Sequence, residues 1–263
     1  MQIIIQNSLV KFIILLFPML ILCYSAEAQY NESIRSARPG QAFGPFTTGK
    51  NIFQVQTGTE FAWASSDLSE LNNFAYNLSL RYGISEHIEL RTASSFQRLE
   101  SRQGGLDEEV FSGLGSWVIG ARFNIKDGER SAFSIQPEVI FNVGIGDFSV
   151  EDPIPQVRLL YAQKLNDLFG LTTNLGVAYA NSNAILNYVV NLSFPIAGKF
   201  SSFIEVYGLY DDDFFVFFDT GLAYLVTNDL QLDLTVGLGK NMGIRTSLLD
   251  LGVSWRTKSW KNE

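Results

Sequence analysis

The charged side chains of this 263-residue chain sort by sign along its length. Arg81, Arg91, Arg122 and Arg158 come first, and Glu205, Asp219, Asp233 and Asp250 follow. All eight occupy the hydrophilic face of segments in which apolar and polar residues alternate. If those segments close into a cylinder with that face inward, a basic arc confronts an acidic arc. Walls of opposite sign set up a field across the interior that can orient dipolar solutes or select ions. Glu89 and Glu138 lie among the arginines, so the competing arrangement is direct pairing, which fills the interior as a polar core. Arg81, Arg91, Arg122, Glu138, Arg158, Glu205, Asp219, Asp233 and Asp250 are therefore the candidate pore-lining set.

Catalysis has little to work with. A serine nucleophile needs a histidine partner, and the one histidine, His87, falls in an expected turn. The one cysteine, Cys23, lies in the first apolar run, so no Cys or second His is left for a transition-metal site. The expectation is a non-enzyme, with no catalytic, cofactor-binding or metal residue. Asp211-Asp212-Asp213 reads as a solvated turn in preference to a divalent-cation site. A net charge of −8 argues against a nucleic-acid partner.

The elements that would carry these groups are strands. From Phe53 to Trp63 the odd positions are Phe53, Val55, Thr57, Thr59, Phe61 and Trp63, against Gln54, Gln56, Gly58, Glu60 and Ala62. Phe74, Tyr76, Leu78, Leu80 and Tyr82 oppose Ala75, Asn77, Ser79, Arg81 and Gly83 in the same way. Side chains of a strand alternate between faces, so such segments separate an apolar medium from a wet one. The pattern recurs to give twelve segments. The least regular runs from Phe200 to Tyr210, where Phe203 and Tyr207 share the polar face with Glu205. The hydrophilic faces carry mostly Gly, Ser, Asn, Thr, Gln and Ala, unlike a bulk-solvent surface rich in Lys and Glu. Aromatic residues cluster towards both segment ends, as interfacial girdles do. The fold class expected is all-β: a transmembrane antiparallel up-and-down β-barrel of about twelve strands. Short connections such as 83–87, 126–130 and 227–229 alternate mostly with longer ones at 64–73, 99–112, 144–153 and 240–246, and the short side is expected to be periplasmic.

The chain ends read separately. Lys11, the apolar run Phe12 to Cys23 and Ala26-Glu27-Ala28 make residues 1–28 a secretory signal peptide. Cys23 as a lipid acceptor is disfavoured by Leu22 before it. Residues 29–50 form a periplasmic or lumen-entering segment, 51–256 the barrel and 257–263 a periplasmic tail. Leu251 to Arg256 looks like the C-terminal assembly signal of outer-membrane barrels. Expected partners are outer-membrane lipid and lipopolysaccharide, the barrel-assembly machinery and a small-molecule solute; the oligomeric state is left open. Export to the bacterial outer membrane follows.

Several motifs, in order, resemble one family. They are Ala37-Arg38-Pro39-Gly40-Gln41, then Pro45-Phe46 and Gly49 to Gly58; Leu80 to Ile84 with Glu89-Leu90-Arg91; Gly113-Leu114-Gly115; Glu205 to Gly208; Asp219 to Tyr224; and Leu230 to Asp233 with Gly237. This is similar to the barrel proteins called "transporter" or "putative phenol-degradation MetA-pathway" proteins. Ala37 stands where they commonly have Asp, and Gln56 where they have Glu. The resemblance implies an outer-membrane channel passing small solutes, aromatic or hydrophobic compounds among them. The alternative carried from the residues is a non-conducting barrel serving envelope structure or adhesion.

Overall fold

The computed structural model describes residues 32–67, 69–104, 107–141, 152–241 and 243–258. The expected signal peptide, most of the connection at 144–153 and residues 259–263 lie outside them. The strands are β1 Phe53–Ser65, β2 Ser69–Gly83, β3 Ile88–Gln103, β4 Glu109–Leu114, β5 Trp117–Asp127, β6 Ser131–Phe141 and β7 Ile154–Lys164. They continue with β8 Gly170–Ala180, β9 Asn183–Ala197, β10 Phe200–Asp211, β11 Asp213–Thr227, β12 Leu230–Asn241 and β13 Ile244–Arg256.

β4 and β5 are two pieces of one stave. Both pair with β3, β4 through Phe96↔Leu114 and β5 through Ala93↔Val118, and the register slips by one residue between them. The break falls at Gly115, whose N–H donates to Ser95 O at 2.6 Å. Every pairing is antiparallel, and β1 pairs with both β2 and β13. The sheet is thus a closed barrel of twelve staves. Closure pairs the spanning strands around the whole ring, which hydrocarbon demands.

The barrel is apolar outside and polar inside. Leu78 and Leu175 are 40% and 52% exposed, while Asn174 and Asp233 are 5% and 7% exposed. A soluble barrel would reverse these values. Aromatic contacts band both rims, with Phe200–Tyr224 and Phe169–Phe194 near the short turns and Tyr210–Phe214 and Phe61–Phe74 near the opposite end. The chain is a transmembrane barrel of the outer-membrane type.

The loops expected at 64–73, 99–112 and 240–246 are mostly strand. β2 and β3 have 15 and 16 residues, where a tilted strand needs about 9–11 to cross. The surplus projects past the hydrocarbon, so its outward face no longer has to be apolar. There Arg98 pairs with Glu100 at 3.0 Å and Arg102 with Glu108 at 3.1 Å. The period-two signal loses its apolar half at that height, and the ladder continues without it.

Candidate functional site

Residues 32–50 lie inside the barrel and cross it close to the short turns. Glu32 O accepts from Arg256 Nη2 at 3.0 Å, and Ile34 N–H donates to Asn228 O at 2.7 Å. Ser36 Oγ bonds Ser254 Oγ at 2.7 Å and also accepts from Gln56. The segment then traverses to β10 and β8. Glu205 takes the N–H groups of Gln41 and Ala42 at 2.6 and 3.0 Å, one on each carboxylate oxygen. Asn174 holds both the N–H and the carbonyl of Phe43, at 2.7 and 2.8 Å. Pro45 O accepts from Asn124 and Ser134; Phe46 O accepts from Arg81 and Arg122. Thr48 N–H ends the traverse on Glu89 at 2.8 Å. Backbone polar groups with no strand partner are thus satisfied by the wall.

Arg38 is the main electrostatic contact of this segment. Its guanidinium lies 3.1 Å from Asp233 and 2.7 Å from Asp250. It rests on the wall where β1 and β13 offer no side chain. A Cβ at Gly58 would sit 2.6 Å from Arg38 Nη2, and one at Gly252 would overlap the same guanidinium. Gly40, at φ +81°, turns the chain against the Phe203 ring. That backbone conformation is one that residues with a Cβ rarely adopt.

All nine predicted site residues face the lumen. Eight are buried, at 8% exposure or less, and the Arg158 side chain is 23% exposed. The basic arc is paired locally. Arg81 binds both oxygens of Glu89 at 2.8 Å, with Arg122 3.7 Å from the same carboxylate. Arg91 lies 2.6 Å and Arg158 3.4 Å from Glu138. The acidic arc is joined to the segment through Arg38 and the Glu205 contacts. Asp219 stands opposite Glu205 in register, carboxyl beside carboxyl. The arcs therefore meet through residues 32–50 lying between them.

Beyond the segment, towards the long-strand end, the lumen changes character. Ile185 and Val189 of β9, Tyr207 and Leu209 of β10, and Phe215 and Phe217 of β11 share the inward face with Asn191, Glu205 and Asp219. Tyr207 and Phe217 stack with centroids 5.4 Å apart. The inward residues of β2 and β3 at comparable distance are Asn73, Ala75, Ser95 and Gln97, with Leu71 and Leu99 above them. A cavity of about 390 Å³ lies on that polar side, lined among others by Phe43, Glu60, Arg91 and Asp250.

Sequence reasoning left Arg38 without a role. A signal was present: two arginines, Arg35 and Arg38, in a short segment before the first strand, and glycines in neighbouring strands where a flat side chain could lie. Phe203 and Tyr207 looked like irregular alternation, and with Leu209 they are the inward apolar residues of β10.

Comparisons with known proteins agree with this architecture. The family model described as "putative MetA-pathway of phenol degradation" matches residues 36–257. No curated protein matched the chain. Among solved structures, the chain is similar to the COG4313 outer membrane channel from Pseudomonas putida F1, with TM-score 0.67 and 11% identity over 84% of this chain and 100% of that one. The transport unit of the autotransporter AIDA-I from Escherichia coli gives 0.53 and 10% over 78% and 90%. The translocator domain of the autotransporter NalP from Neisseria meningitidis gives 0.50 and 10% over 78% and 88%.

Proposed function

We propose, for a chain that belongs to the family described as "putative MetA-pathway of phenol degradation", that it is an outer-membrane channel for small solutes with aromatic or hydrophobic groups. The apolar inward patch on β9 to β11 carries this reading. Nothing in the packing of a barrel calls for Tyr207, Leu209, Phe215 and Phe217 on the lumen face, where water would otherwise lie. An aromatic solute would replace water there, and each ring contact is worth about 0.5–1.5 kcal/mol beyond area burial. Transport needs no catalytic group, in keeping with a lumen built from ion pairs, amides and hydroxyls. Lipid and lipopolysaccharide would contact the outer wall, and the assembly machinery would read the last strand.

Residues 34–48 partly obstruct the lumen, leaving a cavity of about 310 Å³ between them and Thr172, Asn191 and Ala223 of the wall. The same obstruction favours the second reading, a non-conducting structural or adhesive barrel. That reading leaves the inward aromatic patch without a use. The two separate in planar bilayers holding the mature protein. The channel reading expects an ion current that benzyl alcohol blocks, with the blocking concentration rising about threefold to tenfold in Tyr207→Ser and Phe217→Ser. No current in the parent protein and in a variant lacking residues 32–48 would leave the non-conducting reading.

A further inference from the structure

The arginine arc carries more positive charge than its carboxylates balance. Arg81, Arg91, Arg122 and Arg158 share Glu89 and Glu138. Glu89 is fully occupied by Arg81 and Thr48 N–H. One Glu138 oxygen accepts from Arg91 and Gln136. The other lies 3.4 Å from Arg158 Nε in an ion pair, and neither atom has a hydrogen-bond partner among the described residues. Arg91 Nε also lacks an acceptor, in a residue only 8% exposed. Buried donors without acceptors are costly, and a ligand oxygen would relieve them.

Geometry fixes where that oxygen would come from. The Phe43 ring lies against the guanidiniums of Arg91 and Arg158, at 4.6 and 4.8 Å from its centroid. Asn174 anchors Phe43 through both backbone groups. Of the four arginines, Arg81, Arg91 and Arg122 have side chains no more than 7% exposed, and only Arg158, at 23%, is open to the lumen. Across the wall from Arg158 stands Gly176, and beyond it Asn187. Ile185 flanks Asn187 on the same inward face, and Leu209 follows on β10. Two strand spacings, about 10 Å, separate Arg158 from that apolar wall. The opposite wall carries Glu60, Glu205, Asp219, Asp233 and Asp250 against Arg38, with Arg256 on the same wall paired to Asp229, and a field of that sign drives an anion towards the arginines.

We infer that Arg158, backed by Arg91 and braced by Phe43, forms a carboxylate-binding subsite at the edge of the apolar lumen, and that the solutes the barrel favours are ring compounds bearing one carboxylate. This rests on the reading of the barrel as a channel for aromatic or hydrophobic solutes. The carboxylate accepts hydrogen bonds from Arg158, and the ring extends past the Asn187 amide, which covers Gly176, towards Ile185 and Leu209.

The test is block of the bilayer current, at neutral pH and low salt, by three probes of equal ring size: benzoate, benzyl alcohol and benzylamine. Benzoate is expected to block at about tenfold lower concentration than benzyl alcohol, as a charge-assisted hydrogen bond gives, and benzylamine less well than either. Arg158→Gln removes the benzoate preference and leaves block by benzyl alcohol unchanged. Arg158→Lys, which keeps the charge, retains part of it. Both variants are first checked for the heat-modifiable gel mobility of a folded barrel. Equal block by benzoate and benzyl alcohol, or a preference that survives Arg158→Gln, overturns the subsite while the channel reading stands. Absence of block by all three probes removes the aromatic-channel reading and the subsite with it.

Discussion

Replacing Arg38 by methionine keeps most of the side-chain volume and removes the charge. In the parent, the Arg38 side chain is 13% exposed and its partners Asp233 and Asp250 are 0% and 11% exposed. These are buried pairs, and removing one partner of such a pair typically costs about 3–5 kcal/mol, because the remaining charge is left uncompensated. Here two carboxylates are stranded, with Glu60 opposite Asp250 in register adding a third. The cost has two routes of relief: disrupting the barrel, or letting the segment leave so that water reaches the acids. The wall is held by ladders that do not involve residues 32–50, so the second route is cheaper. Taking the low end, about 3 kcal/mol, the population with the segment detached rises roughly a hundredfold. Amide hydrogen exchange reads that population directly. The peptide containing Gln41, Ala42 and Phe43, whose N–H groups are held by Glu205 and Asn174, should exchange about a hundredfold faster. Peptides from β12 and β13 should keep their protection. The variant Arg38→Met/Asp233→Asn/Asp250→Asn should recover most of the loss, since of the three carboxylates only Glu60 is left. Exchange within threefold of the parent in Arg38→Met would refute the assignment of Arg38 as the electrostatic latch.

Other perturbations follow from the same contacts. Glu205→Gln replaces a charged acceptor of two backbone N–H groups with a neutral one. It should speed exchange at Gln41 and Ala42 tenfold or more, from about 1.5–3 kcal/mol for a hydrogen bond to a charged group, with a smaller effect at Thr48. Gly252→Ala displaces the Arg38 guanidinium, so it should weaken the segment in the parent and do little in an Arg38→Ala background; a coupling of about 0.5–3 kcal/mol in the double-mutant cycle is expected, and strict additivity would show that the two do not meet. Leu175→Arg on the outer face should cost about 2–4 kcal/mol in urea-dependent folding into vesicles, as for arginine near the bilayer midplane; no loss would mean that this face does not meet lipid. Lys164 donates to Asp167 at 2.6 Å and holds that carboxyl below its ordinary range. Any stability this gives is present above the unfolded-state pKa and lost as pH falls through the folded one. The pair is exposed, Lys164 at 54% and Asp167 at 94%, so Asp167→Asn should leave the unfolding midpoint unchanged at neutral pH.

The architecture was legible because the bilayer enforces it at every residue of a spanning strand. Leu78 and Asn77, or Leu175 and Asn174, carry the rule in adjacent positions, and no tertiary knowledge is needed to read them. The strand ends were not legible, because the rule stops where the hydrocarbon stops. Arg98 and Glu100 are as compatible with a loop as with a strand surrounded by water. Which face Arg81, Asp233 and the other seven candidate charges take was legible for the same reason as the strands, but inward Arg256 was not among them, and the partners of these charges were not legible. Alternation reports which face a side chain takes and is silent on what fills the lumen. Arg38 pairs with residues 195 and 212 positions away, and no local pattern encodes such a separation. The glycines at 58 and 252 are the one trace left in the wall.

These contacts bear on how the barrel could open. The segment is held mainly by charge and by hydrogen bonds to its backbone, and few of its side chains are deeply buried; Ile34, Pro45, Thr47 and Thr48 are among those that are. An apolar plug would be released only by exposing greasy surface to water, at a cost that water cannot offset. A polar segment exchanges wall partners for water at a small net cost per hydrogen bond, about 0.5–1.5 kcal/mol. The large term is the pairing of Arg38 with Asp233 and Asp250, and it is concentrated in one side chain. Obstruction of the lumen and a stable barrel are therefore energetically separable. The acids that hold Arg38 lie on the wall facing the arginines, so a solute anion crossing the lumen meets attraction on one side and repulsion on the other, and the detached segment would leave that asymmetry stronger.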